Sequence, residues 1–176
     1  MTLTALHTML TDQVDRIEEL FVELTDGLSE QTARYQIDDE SNTINWLLWH
    51  SGRVIDSHLF DITGGDELWA DWAPKFALPL ADDELGPGQV GFAQDPKQAA
   101  KVVAASELLR DYGLAACKAL RTFVDGVDED DLARVIDRSY DPPVTISSRI
   151  VSVIGDCLQH LGQAAYVRGV AERAGQ

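Results

Sequence analysis

Asp156 and His160 stand four residues apart in the mostly apolar stretch from Val151 to Gly169. On a helix, residues i and i+4 rise from one face, one above the other. Two ligand-type side chains then point together from a surface that should otherwise face the core. A carboxylate placed there without a partner is strongly disfavoured, and a divalent cation would remove that cost. A third group of the right kind, His50, lies in Trp46-Leu47-Leu48-Trp49-His50. Two imidazole nitrogens and one carboxylate oxygen suit Zn²⁺, Ni²⁺ or a similar borderline cation. Three protein ligands leave at least one position open, which is the arrangement of a catalytic site rather than a structural one. A single core histidine is more often satisfied by a hydrogen bond. The metal reading therefore requires the three groups to converge.

The neighbouring polar residues divide by position. His58 is about 80° around the helix from His50 and about 12 Å along it, so it is expected near the site or its pocket but not on the same metal. Gln163 follows His160 by three and can hydrogen-bond a ligand imidazole. Arg53 and Asp56, three apart, are expected to pair on the helix surface, and Arg53 is also a candidate, with His58, Gln163 and Trp46, for a place beside the metal or in its pocket. Trp46 and Trp49 flank His50 and are expected to pack against the core, although either could wall a pocket. Cys157 points about 100° away from Asp156 and reads as a buried free thiol, as does Cys117. His7 is expected to be exposed. Neither a glycine-rich phosphate loop nor a G-x-S-x-G or C-x-x-C motif occurs.

These side chains need helices to place them. Leu3, Leu6, Leu10, Val14, Ile17, Phe21, Leu24 and Leu28 recur at steps of three and four, predicting an amphipathic helix over 3–28. A polar loop over 29–42 precedes a second helix over 43–62, capped by Ser41, Asn42 or Thr43 and stopped by Gly64-Gly65. Residues 63–95, with Pro74, Pro79, Pro87, Trp69 and Trp72, predict a long packed connection of little regular structure, lying across one end of the helices. Asp95-Pro96 starts a third helix expected to run unbroken to about Val124. Acidic residues 128–131 open a short turn or helix. Ser139 to Pro143 reads as a rigid extended link. Thr145 or Ser147 caps the last helix, over 146–174. The expected architecture is all-α: a four-helix bundle with a long loop between helices 2 and 3, in one domain of 176 residues.

The net charge of −16 strongly disfavours nucleic acid and anionic membrane surfaces as partners, since both need clustered cations. No apolar run is long enough to span a membrane, and the N-terminus has no basic region followed by an apolar one, so a cytoplasmic location is expected.

At Asn45 to Leu59 and at Asp156 to Gly169 the chain resembles the DinB-like superfamily of metal-binding four-helix bundles. That group includes the YfiT-type bacillithiol and mycothiol S-transferases and the mycothiol-dependent maleylpyruvate isomerases. In the family a histidine of the second helix joins a His-x-x-x-His pair on the fourth. His50 matches the first and His160 the last, while Asp156 stands where a histidine is usual. The resemblance implies a divalent metal, a small thiol such as mycothiol or bacillithiol as co-substrate, and a small electrophile as acceptor. It also implies an enzyme that transfers the thiol or isomerises its adduct, and a homodimer is common. The competing expectation is a non-enzymatic, stress-associated bundle that binds a metal or a ligand.

Overall fold

The computed structural model describes the backbone of residues 3–176 and the side chains of residues 5–176. The protein is predominantly α-helical. Its elements are α1 (Leu3–Thr25), α2 (Glu30–Ala33), α3 (Ile44–Thr63), α4 (Trp69–Phe76), α5 (Pro96–Ala99), α6 (Ser106–Gly126), α7 (Glu129–Ala133), β1 (Val135–Asp137), β2 (Val144–Thr145) and α8 (Ile146–Arg173). Two 3₁₀ turns, Asp82–Leu85 and Pro87–Gln89, lie between α4 and α5.

Four of these helices are long, and they make the core. α1 and α3 each pack against both α6 and α8. Val14, Ile17, Phe21 and Leu24, spaced along one stripe of α1, are buried as their period requires. α1 ends two residues before Gly27, and its last carbonyls do not go unsatisfied. The Arg168 guanidinium on α8 donates to the backbone oxygens of Glu23, Leu24 and Asp26. Of the three candidate caps for α3, Thr43 is the one used: its Oγ1 accepts from the Trp46 N–H at 3.1 Å. Gly64 closes α3 in the left-handed conformation, its N–H bonding the Phe60 carbonyl. Thr145 caps α8.

The structure corrects the sequence expectation in several places. The third helix is not continuous from Pro96. Asp95 caps the single turn of α5, the chain then extends, and α6 begins at Ser106. Val102 is completely buried in the extended piece, and the Ala104 N–H reaches Asn45 Oδ1 at 3.4 Å. Side-chain burial there outweighs the helical period. The segment 63–95 holds α4, which carries Pro74 within it, and α2 interrupts the polar stretch after α1. The residues around the expected rigid link form a small antiparallel ribbon, β1 with β2. Finally, His7 is partly buried, its Nε2 lying 2.8 Å from the Val127 carbonyl oxygen.

Arg53 and Asp56 depart furthest from expectation. They do pair, at 3.0 Å, but with side chains only 1% and 4% exposed. The connection after α3 folds back over them. Arg53 also donates to Glu67, at 2.7 Å, and to the backbone oxygens of Gln89 and Gly88. Asp56 accepts from the N–H groups of Leu68 and Trp69 and from the Tyr112 hydroxyl, each at 2.8 Å. The i,i+3 spacing correctly brings the two together, but it carries no information about what later covers them.

Candidate metal centre

α3 and α8 run antiparallel, because residue numbers rise along one as they fall along the other at each contact, from Ser51–Cys157 to His58–Arg149. This brings His50 against the middle of α8. One ligand atom from each of His50, Asp156 and His160 lies within 4.8 Å of the others. His50 Nε2 stands 3.4 Å from Asp156 Oδ2, and His160 Nε2 stands 3.5 Å from Asp156 Oδ1. These are too long for good hydrogen bonds. They bring one imidazole to each oxygen of the carboxylate, close enough for the three side chains to share one ion.

The outer nitrogens of both rings are already engaged. His50 Nδ1 bonds the Val90 backbone oxygen, which can only accept, so Nδ1 carries a proton and Nε2 is the nitrogen that faces the carboxylate. His160 Nδ1 lies 2.9 Å from Gln163 Oε1, the same arrangement built from a side chain. The ring of His50 is further clamped by Trp46, stacked on it at 4.5 Å with an 8° angle between planes. Trp46 is held in turn by a hydrogen bond from Nε1 to Gln94 Oε1.

Asp156 Oδ2 is buried and has no hydrogen-bond partner among the described residues. Burial by itself would raise the Asp156 carboxyl, but the facing imidazoles of His160 and His50 outweigh it and hold the group well below the usual carboxylate range. Asp156 in turn raises the His160 imidazole against the effect of burial, with help from Gln163. An ionised carboxylate with an orphaned oxygen, facing two imidazoles whose inward nitrogens can give up a proton to a metal, is a donor set that fits a divalent cation. His50 is nearly fully buried, whereas the side chains of Asp156 and His160 are 35% and 22% exposed. The set therefore opens to one side.

That side is a cavity of about 630 Å³, walled by Trp46, Val54, His58, Val90, Phe92 and Tyr140 with the triad at its base. Trp46 thus both packs and lines the pocket. His58 lines it too and does not belong to the triad. Arg53 does not line it; it fixes Gly88 and Gln89, adjacent to the Val90 carbonyl that orients His50. Gln163 is exposed and touches only the outer nitrogen of His160 among the groups of the triad. Sequence reasoning missed Val90, whose contribution is a backbone carbonyl without a residue signature. It also missed Ser152, which lines the pocket and could have been found four residues before Asp156 on the same helix face.

Both cysteines lie outside this chemistry. Burial pushes the Cys117 thiol up to about 12 and the Cys157 thiol well above its ordinary value. Neither supplies a thiolate at neutral pH.

A helical protein with an open His/Asp/His triad beneath a partly apolar pocket is the class these observations define. The sequence profile of the mycothiol S-transferases matches residues 5–172, and the chain belongs to that family, within the DinB-like group. It is also similar to a conserved protein from Enterococcus faecalis of known crystal structure. The two are 34% identical with a TM-score of 0.83, over 92% of this chain and 94% of that one. No curated protein matches.

Proposed function

We propose that the chain is a metal-dependent thiol S-transferase of one domain. In this reading His50, Asp156 and His160 hold a divalent cation, zinc or nickel, and the pocket above them takes a small thiol of the mycothiol type together with a small electrophile. The observation that carries the reading is the triad itself: two histidines with their outer nitrogens tied off and a carboxylate oxygen left unpaired, at the base of a cavity. Family membership and the inertness of both cysteines support it, since the nucleophilic sulfur must then come from outside the chain.

When bound, the cation supplies positive charge that lowers the pKa of a thiol sulfur beside it. The protein does the rest. The Val90 carbonyl and the Trp46 face fix the His50 ring, and Gln163 fixes His160, so the ligand atoms need little reorganisation. Trp46, Val54 and Phe92 offer apolar surface against which an electrophile can lie. In the transfer, the thiol gives up its proton to solvent, sulfur forms a bond to the electrophilic carbon, and the leaving group departs with the electron pair of the bond that breaks.

The test is conjugation of mycothiol or bacillithiol to a haloarene or monobromobimane by protein loaded with Zn²⁺ or Ni²⁺ and by protein stripped with a chelator. Turnover that needs metal, and is lost in His50→Ala and His160→Ala, is the expected result. Absence of metal-dependent conjugation with either thiol rejects the enzyme. Tight metal or thiol binding without turnover in the same experiment would instead favour the non-catalytic binding role. Sedimentation of the purified chain tests the homodimer common in such bundles.

A further inference from the structure

We infer that the far end of the pocket is an anion-binding subsite, built from His58 with Arg149 behind it, which selects electrophiles carrying a carboxylate. This rests on the transferase reading for the word electrophile, but the subsite itself is argued from the geometry of α3 and α8.

Eight residues separate His50 from His58 on α3, and seven separate Arg149 from Asp156 on α8. The antiparallel helices therefore carry two polar layers, with the second ~10–12 Å from the triad. The cavity reaches both, since His50, Asp156 and His160 line one part of it and His58 another. In the second layer Arg149 Nη1 lies 3.1 Å from His58 Nδ1. A guanidinium has no acceptor atoms, so it must donate, and His58 must accept through Nδ1 and carry its proton on Nε2. Burial and the Arg149 charge both push the His58 imidazole below its ordinary value, consistent with a neutral ring in that tautomer. Asp61 Oδ2, 3.4 Å from the same Nδ1, is the weaker contact, because Nδ1 cannot donate while it accepts from Arg149.

Two donors are then left over. The Nε2–H of His58 makes no hydrogen bond among the described residues, on a side chain that lines the pocket. Arg149 Nε is buried and likewise without a partner, and no carboxylate among the described residues forms a salt bridge with this guanidinium. Asp137 acts on this guanidinium through space and Asp61 approaches His58, but neither carboxylate closes an ion pair with it, so in a chain of net charge −16 this half-buried cation keeps donor capacity to spare. An organic carboxylate would accept from His58 Nε2–H and take the Arg149 charge through it, with its apolar body against Val54 and Phe92 and its far end at the triad. Arg149 is the positioning residue of this pair: it fixes the His58 tautomer and supplies the charge.

The experiment compares 4-phenylbutanoate with its neutral amide, each titrated by tryptophan fluorescence and calorimetry into metal-loaded and into chelator-stripped full-length protein. The carboxylate is expected to bind about tenfold or more tightly than the amide, with or without metal. His58→Phe and Arg149→Gln abolish that preference, bringing the acid down to the amide, and the amide still binds in both, which shows that the pocket survives. Equal binding of acid and amide overturns the subsite, as does a preference that persists in both variants. A preference that disappears with the metal places the carboxylate on the triad and also overturns it. Saturating mycothiol leaves the preference in place; its loss would assign this end to the thiol and reject the electrophile. None of these results depends on turnover, so the subsite can fail while the transferase stands, and the reverse.

Discussion

α3 carries two clusters of charge barely one turn apart, and they are built in opposite ways. Around Arg53 and Asp56 every group is answered. The guanidinium meets two carboxylates, the Tyr112 hydroxyl and two backbone oxygens, and the carboxylate meets two N–H groups and the same hydroxyl. Around His50, Asp156 and His160 the outer nitrogens are answered but the inward-facing atoms are not, and one carboxylate oxygen is orphaned. The closed cluster spends its hydrogen bonds on fastening a long connection to the helix. The open one keeps its donor atoms for something that is not part of the chain. Burial of charge alone would not have told the two apart; completeness of the hydrogen bonding does.

The sharpest way to break this contrast is to open the closed cluster. Arg53→Met leaves Asp56 and Glu67 without their cation, and a loss of about 3–5 kcal/mol in urea unfolding is expected. The same cut at the open cluster should leave the fold nearly untouched. Asp156→Ala is expected to stay within ~1 kcal/mol of the parent in its metal-free form, yet to lose more than ~100-fold in Zn²⁺ affinity by competitive chelation. A large loss of metal-free stability in Asp156→Ala would mean that the triad is a structural ion cluster. Gln163→Leu removes only the acceptor behind His160, and Zn²⁺ affinity should fall about tenfold with little change in unfolding.

The smallest effect is one of pH, in metal-free protein. The His160 imidazole is raised above 6.5, so its stabilising contribution is complete below that pH and disappears as pH climbs through the folded value. Asp156 is depressed below 3.8, so its contribution is present above that pH and is lost only as acid titrates the folded carboxyl. Between those limits both act. The stability gap between the parent and His160→Gln should therefore be wider at pH 5.5 than at pH 8. Zn²⁺ affinity should move the other way, strengthening as the proton leaves His160. A gap independent of pH would mean that Asp156 and His160 do not interact in the metal-free chain.

Much of this was legible in the residues. The period of apolar positions gives the long helices, because burial of one face is what stabilises them. The Asp156–His160 spacing gives half of the triad, because i and i+4 must share a face on any helix. What could not be read is whatever depends on a distant segment covering a helix. The Arg53–Asp56 pair looks like any exposed pair until the chain after α3 is laid across it. The break before Ser106 is set by a buried valine and an asparagine on another helix, and neither leaves a mark in the local pattern. His58 and Arg149 are 91 positions apart, and no spacing rule joins them.

His50 is held by the peptide oxygen of residue 90, and the chain there turns immediately. Gly91 has φ +86°, and a Cβ on it would come within 2.9 Å of both Trp46 and Trp49. A main-chain oxygen persists whatever side chain residue 90 carries, so mutation can scarcely delete this tether. The vulnerability is displaced by one position: a saturation library scored for zinc retention should tolerate a wide range of residues at 90 and almost none but glycine at 91.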